Sequence, residues 1–112
     1  MLGNAISPMY LDPSSRIVDV HINIIVIANT LIDLGVAINF MTRETMLKIN
    51  LQGALRKTKT MLQLANKSIV TPKGVIEDVM VSIDSWEYPI DFLLLQPKTK
   101  FNGYPLNLGD LG

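Results

Sequence analysis

Four separate stretches of this chain alternate along its length with a period of two. Val18, Val20, Ile22 and Ile24 interleave with Asp19, His21 and Asn23; Thr60, Leu62 and Leu64 interleave with Met61 and Gln63. Val79, Val81 and Ile83 repeat the pattern, as do Ile90, Phe92 and Leu94 within Tyr88 to Leu95. Period two sends successive side chains to opposite faces of an extended strand, so these segments predict half-buried strands. Shorter strand-like runs cover Thr30 to Asp33, Val36 to Met41 and Ile69 to Val70, and "LNLG" near the end is another. Ala28-Asn29, Gly35, "ANKS", "TPKG", "DS" and "QPKTKFNGYP" supply the breaks between them. Many short strands separated by Gly, Pro and Asn turns indicate an all-β barrel or sandwich.

One segment stands apart. In "TRETMLKIN", Thr42 is a candidate N-cap and Glu44 lies in the first turn, where the helix dipole favours an acid. A short helix is predicted between Thr42 and Asn50, with Met46, Leu47 and Ile49 facing the core, and Gly53 beyond its end. Residues 1–15 hold two prolines and no clear period, and read as a flexible lead-in to a single domain over residues 16–112.

Composition narrows the function classes. The chain has 112 residues, 48% hydrophobic and 18% charged, enough to bury one core and too apolar for disorder. Ten basic residues balance ten acidic ones, which argues against nucleic acid as a partner. Without cysteine there is no disulfide, thiol nucleophile or cysteine-zinc site, and one histidine makes no His-rich metal site. No metal or cofactor is expected. No leader pattern opens the sequence and no apolar run approaches about 20 residues, so no membrane partner is expected and the chain is read as cytoplasmic.

Several residues have plain readings. His21 alternates with apolar neighbours and belongs on a solvent face. Arg56, Lys57 and Lys59 in "LRKTK" form a solvated charged segment. Met41, Met46, Met61 and Met80 are expected to fill core gaps, and Trp86 to anchor packing beside a turn.

Asp33 is less plain. It follows the apolar pair Leu31 and Ile32, precedes Gly35, and is set between two strand-like runs. Burying a lone carboxylate costs several kcal/mol, on the order of the Born penalty left after relaxation, unless it is paired, hydrogen-bonded or protonated. Taken alone, Asp-x-Gly describes an ordinary turn as well as a site that requires a carboxylate.

The wider context supplies a resemblance. "LIDLGVAINFM", "LQLANKSIVTPKGVIEDVMV" and "YPIDFLLL" occur in the order found in retropepsin-like aspartic proteases, and the sequence resembles the protease region of plant gypsy-type LTR retrotransposon polyproteins. The resemblance covers roughly Ile17 to Gly109. It implies a small closed barrel with one short helix, working as a homodimer to which each chain contributes one aspartate, here Asp33. Leu34, Gly35 and Val36 would form the active-site loop. Ala65, Asn66, Lys67, Ser68 and Ile69 would form the flap over an extended peptide or polyprotein substrate. The family needs no metal or cofactor.

The sequence departs from the family pattern at several positions. Leu34 stands where most active members have Thr or Ser, and Val36 replaces the usual alanine. Lys67 stands where many relatives have glycine. Asp110 replaces an Arg-containing turn, and the chain stops at Gly112 before the family's C-terminal helix and strand, which reads as a C-terminal truncation. Two functions follow: an aspartic endopeptidase that processes a retroelement polyprotein, or a catalytically degenerate fold kept as a peptide-binding or dimerisation module.

Overall fold

The computed structural model describes residues 15–33, 38–63, 67, 69–95 and 103–109. Its order is β1 (Ser15–Ile22), β2 (Ile25–Asp33), β3 (Phe40–Met41), α1 (Arg43–Lys48), a 3-10 turn (Gln52–Ala54), β4 (Leu62–Gln63), β5 (Ile69–Val70), β6 (Gly74–Ile83), β7 (Trp86–Leu94) and β8 (Leu106–Leu108). Six of the strands close a barrel in the order β1-β2-β8-β3-β7-β6, and β4 and β5 form a separate hairpin. The expected all-β architecture with one short helix is therefore present, as a barrel rather than a sandwich.

Two long hairpins make most of the wall. β1 and β2 are joined by Asn23-Ile24, and β6 and β7 by Asp84-Ser85; Asn23 and Asp84 take positive φ (58° and 56°), which short polar residues tolerate in tight hairpin turns. The inner faces follow the sequence alternation. Val20 and Ile22 on β1, Val79, Val81 and Ile83 on β6, and Ile90, Phe92 and Leu94 on β7 are all buried in one core with Met41, Met46, Leu106 and Leu108.

Some expectations fail, each for a local reason. Ala28-Asn29 is not a turn. β2 runs unbroken through it, and the two residues bulge opposite Asp19, with Asn29 at φ 59° taking up the extra length. The turn falls earlier, so Ile24 leaves the alternation and is 95% exposed. Ser15 belongs to β1, paired with Asp33, rather than to a lead-in; residues 1–14 lie outside the described residues. Thr60 and Met61 precede β4, which is only two residues long. Met61 and Met80 are exposed, and Trp86, paired with Ile83 at the first position after the two-residue turn of the β6–β7 hairpin, is 69% exposed.

The helix matches its sequence signals. Thr42 is the N-cap and its hydroxyl accepts the Thr45 N–H (3.2 Å), with Glu44 in the first turn and Lys48 in the last. Met46 and Ile49 face the core, but Leu47 does not; on so short a helix the buried stripe takes Thr45 and Met46 instead. Thr45 is tolerated there because its hydroxyl donates to the Pro105 carbonyl oxygen (3.1 Å) and lies 2.8 Å from that of Thr42. The Thr42 N–H donates to the same carbonyl (3.2 Å), which ties the helix start to the entrance of β8.

Candidate active site

Strand β8 creates the setting of Asp33. It pairs in parallel with β2 (Leu31↔Asn107, Ile32↔Leu108) and antiparallel with β3 (Phe40↔Asn107, Met41↔Leu106). A late segment is thus inserted between two strands that follow each other in sequence. Its composition allows this position: Leu106 and Leu108 point into the core, while Asn107, also buried, faces the other way between Leu31 and Phe40.

Asp33 is the last residue of β2 and is half-buried. On one side it pairs with Ser15 of β1. On the other, one further step along the parallel ladder brings it level with Gly109, which is buried. The carboxylate therefore stands at the end of β2. Leu34, Gly35 and Val36, the expected active-site loop, lie outside the described residues.

Asn39 is a site residue that the sequence reading passed over. It is half-buried just before β3. The Gly109 N–H donates to its Oδ1 (2.8 Å), its Nδ2 donates to the Asp91 carbonyl oxygen (3.3 Å), and its own carbonyl accepts the Leu93 N–H (2.9 Å). The signal was present: a carboxamide inside the apolar run Ile38 to Met41 has to find partners. Which partners it finds depends on strands more than 50 residues away in sequence.

The expected flap falls on the hairpin of β4 and β5, paired Leu62↔Val70 and Gln63↔Ile69. Ala65, Asn66 and Ser68 lie outside the described residues. Lys67 has φ 69°, the left-handed conformation that a glycine would adopt freely. Ile69 is exposed, and Leu62 packs into a second, smaller apolar cluster with Phe40 and Leu95, bordered by Ile38 and Leu93. The root of the hairpin thus rests on the same β3 that borders β8.

Other singled-out residues stand apart from this site. His21 is exposed on the outer face of β1, beside Val26 and Ser82. Arg56 is exposed and pairs with Glu77 (3.2 Å). No helix among the described residues is long and apolar enough to cross a membrane.

No protein-family model matches the sequence, and no curated protein matches it. The fold is similar to the crystal structure of the retroviral protease-like domain of Ddi1 from Leishmania major, with a TM-score of 0.61 over 90% of this chain and 72% of that one, at 15% sequence identity. With its closed barrel, one short α-helix among the described residues and β8 inserted between β2 and β3, this chain has a retropepsin-like fold.

Proposed function

We propose that this chain is a retropepsin-like aspartic endopeptidase domain that hydrolyses peptide bonds in a retroelement polyprotein of the plant gypsy type, through a dyad of Asp33 residues from two chains. The supporting observation is the position of Asp33: half-buried, ending β2, level with Gly109 of the inserted strand, in a retropepsin-like barrel. A single carboxyl group cannot both take a proton from water and hold one for the scissile carbonyl. Two of them about 3 Å apart share one proton, because both cannot readily be charged. The ionised member then accepts a proton from the attacking water, and the protonated member polarises the carbonyl. The titration belongs to the pair. An extended peptide would lie under the β4–β5 hairpin, held by main-chain hydrogen bonds as an added strand.

The test is cleavage of a peptide library by this chain and by its Asp33→Asn variant. Asparagine keeps the shape but cannot act as the base, so cleavage is expected to vanish while the circular-dichroism melt stays close to that of the parent. Activity retained by the variant would place the chemistry elsewhere.

One observation favours a second reading, a degenerate fold kept for peptide binding or dimerisation. Leu34 lacks the hydroxyl whose hydrogen bonds, at roughly 0.5–1.5 kcal/mol each, hold the two active-site loops of the family in register. If the parent binds library peptides without cutting them, and Leu34→Thr begins to cut, the leucine has made the domain a binder.

A further inference from the structure

We propose that Asn39 is a positioning residue for Asp33, acting through the backbone of Gly109. The inference rests on the reading of Asp33 as the catalytic carboxylate. β8 is three residues long and meets β2 in only two paired positions, Leu31↔Asn107 and Ile32↔Leu108. β8 is also paired with β3 at Leu106 and Asn107, but neither ladder reaches the next residue, Gly109, which stands level with Asp33. The Asn39 carboxamide supplies the missing hold: the Gly109 N–H donates to its Oδ1 at 2.8 Å.

Asn39 is itself anchored on its far side. Its Nδ2 reaches the Asp91 carbonyl (3.3 Å), and its backbone carbonyl takes the Leu93 N–H (2.9 Å). Asp91 is held in turn, because its carboxylate accepts the Asp78 N–H (2.8 Å) at the bulge where Glu77 and Asp78 together oppose it. A continuous path therefore runs from the β6 bulge through Asp91 and Asn39 to Gly109, level with Asp33. The carboxamide is suited to this place because it offers a donor and an acceptor at once. Leucine has neither, and a carboxylate has only acceptors. Gly109 is buried, so its N–H would lack a partner if the carboxamide were removed.

A residue that merely stabilises the barrel would act on every part of it. A positioning residue acts on Gly109 and Asp33 first. The test uses the full isotope-labelled chain with Asn39→Leu, Asn39→Asp and, as a control at the other end of β8, Thr45→Val. Amide exchange at Gly109, the carboxyl carbon resonance of Asp33, and kcat and KM for a cleaved library peptide are measured. In Asn39→Leu, exchange at Gly109 is expected to accelerate about tenfold more than at Val81 in the core. The Asp33 resonance should move, and kcat should fall about tenfold or more with KM within about twofold. Asn39→Asp keeps the acceptor and should keep Gly109 protected. Thr45→Val should lower the melting temperature and leave the Asp33 resonance in place. If Asn39→Leu does not fold, Asn39→Ser is read in the same way. The proposal is overturned if Gly109 and Val81 accelerate equally, or if Thr45→Val moves the Asp33 resonance as far as Asn39→Leu does. If the parent shows no Asp33-dependent cleavage, the catalytic reading fails, and exchange and resonance still decide whether Asn39 couples Gly109 to Asp33.

Discussion

Asn23, Asn29, Asn50, Lys67, Asp78 and Asp84 are the non-glycine residues with positive φ among those described. All but Lys67 are Asn or Asp, whose short side chains tolerate the left-handed region. Asn23 and Asp84 turn the two long hairpins, and Asn29 and Asp78 sit in the two bulges. Lys67 has no such excuse. It sits in the loop of the β4–β5 hairpin in a conformation costing an ordinary residue about 1–2 kcal/mol. Lys67→Gly is expected to raise the stability of the domain by up to about 1 kcal/mol, after the added freedom of glycine in the unfolded chain is subtracted. Lys67→Val should lower it. The midpoint of urea unfolding reads both, and a destabilised glycine variant would mean that the lysine side chain makes contacts outweighing the backbone cost.

At the scale of elements, a single glycine governs the join between the helical segment and β6. Gly74 opens β6, and Arg56 exchanges backbone hydrogen bonds with the next residue, Val75 (2.9 and 2.8 Å). A Cβ on Gly74 would lie 2.5 Å from the Arg56 carbonyl oxygen and 2.8 Å from Leu55 Cδ1. The leucine tip could move, but the carbonyl belongs to the bridge itself. Gly74→Ala is expected to cost about 1–3 kcal/mol, the usual penalty for overpacking a tight contact. Gly53→Ala is the matched control, since nothing lies within 4 Å of a Cβ there. Calorimetric melting of the two variants separates them, and equal melting temperatures would show that the bridge yields without cost.

On the scale of the whole molecule, the proposed dyad would make activity a property of two chains, because each chain holds one Asp33. If the dyad operates, the cleavage rate should grow as the square of chain concentration when the dimer is a minor species. At higher concentration, where most chains are paired, adding Asp33→Asn chains should reduce cleavage more than dilution does, because each mixed pair holds a single competent carboxylate. A rate linear in concentration and unaffected by the variant would exclude a shared site. The rate should also peak at mildly acidic pH, where the coupled pair holds one proton between its two members. It should fall as pH rises and that proton is lost. A rate still rising above neutral pH would count against the dyad.

Local chemistry was enough to mark the inward faces of the long strands and the start of the helix, and to single out Asp33 as a residue that needs a reason. Period-two alternation placed Val20, Ile22, Val79, Val81, Ile83, Ile90, Phe92 and Leu94 on inner faces, where they are buried, because the pleat of a strand leaves an apolar row no alternative side. Thr42 marked the helix start because its hydroxyl can accept one of the first free N–H groups, as it does from Thr45. The bulge at Ala28-Asn29 was not legible as such: Asn announces a positive φ equally well in a turn and in a bulge, and the choice is made by the register of β1 opposite. The exposure of Trp86 likewise depended on where the β6–β7 hairpin turned, whereas Met80, between buried Val79 and Val81, simply takes the outward face that the alternation sets. The site divides in the same way. Asp33 stood out because a carboxylate between apolar strands needs a reason, and that need is local. Asn39 and Gly109 became partners only when β8 entered between β2 and β3, since a hydrogen bond between residues 70 apart in sequence exists only in the folded chain.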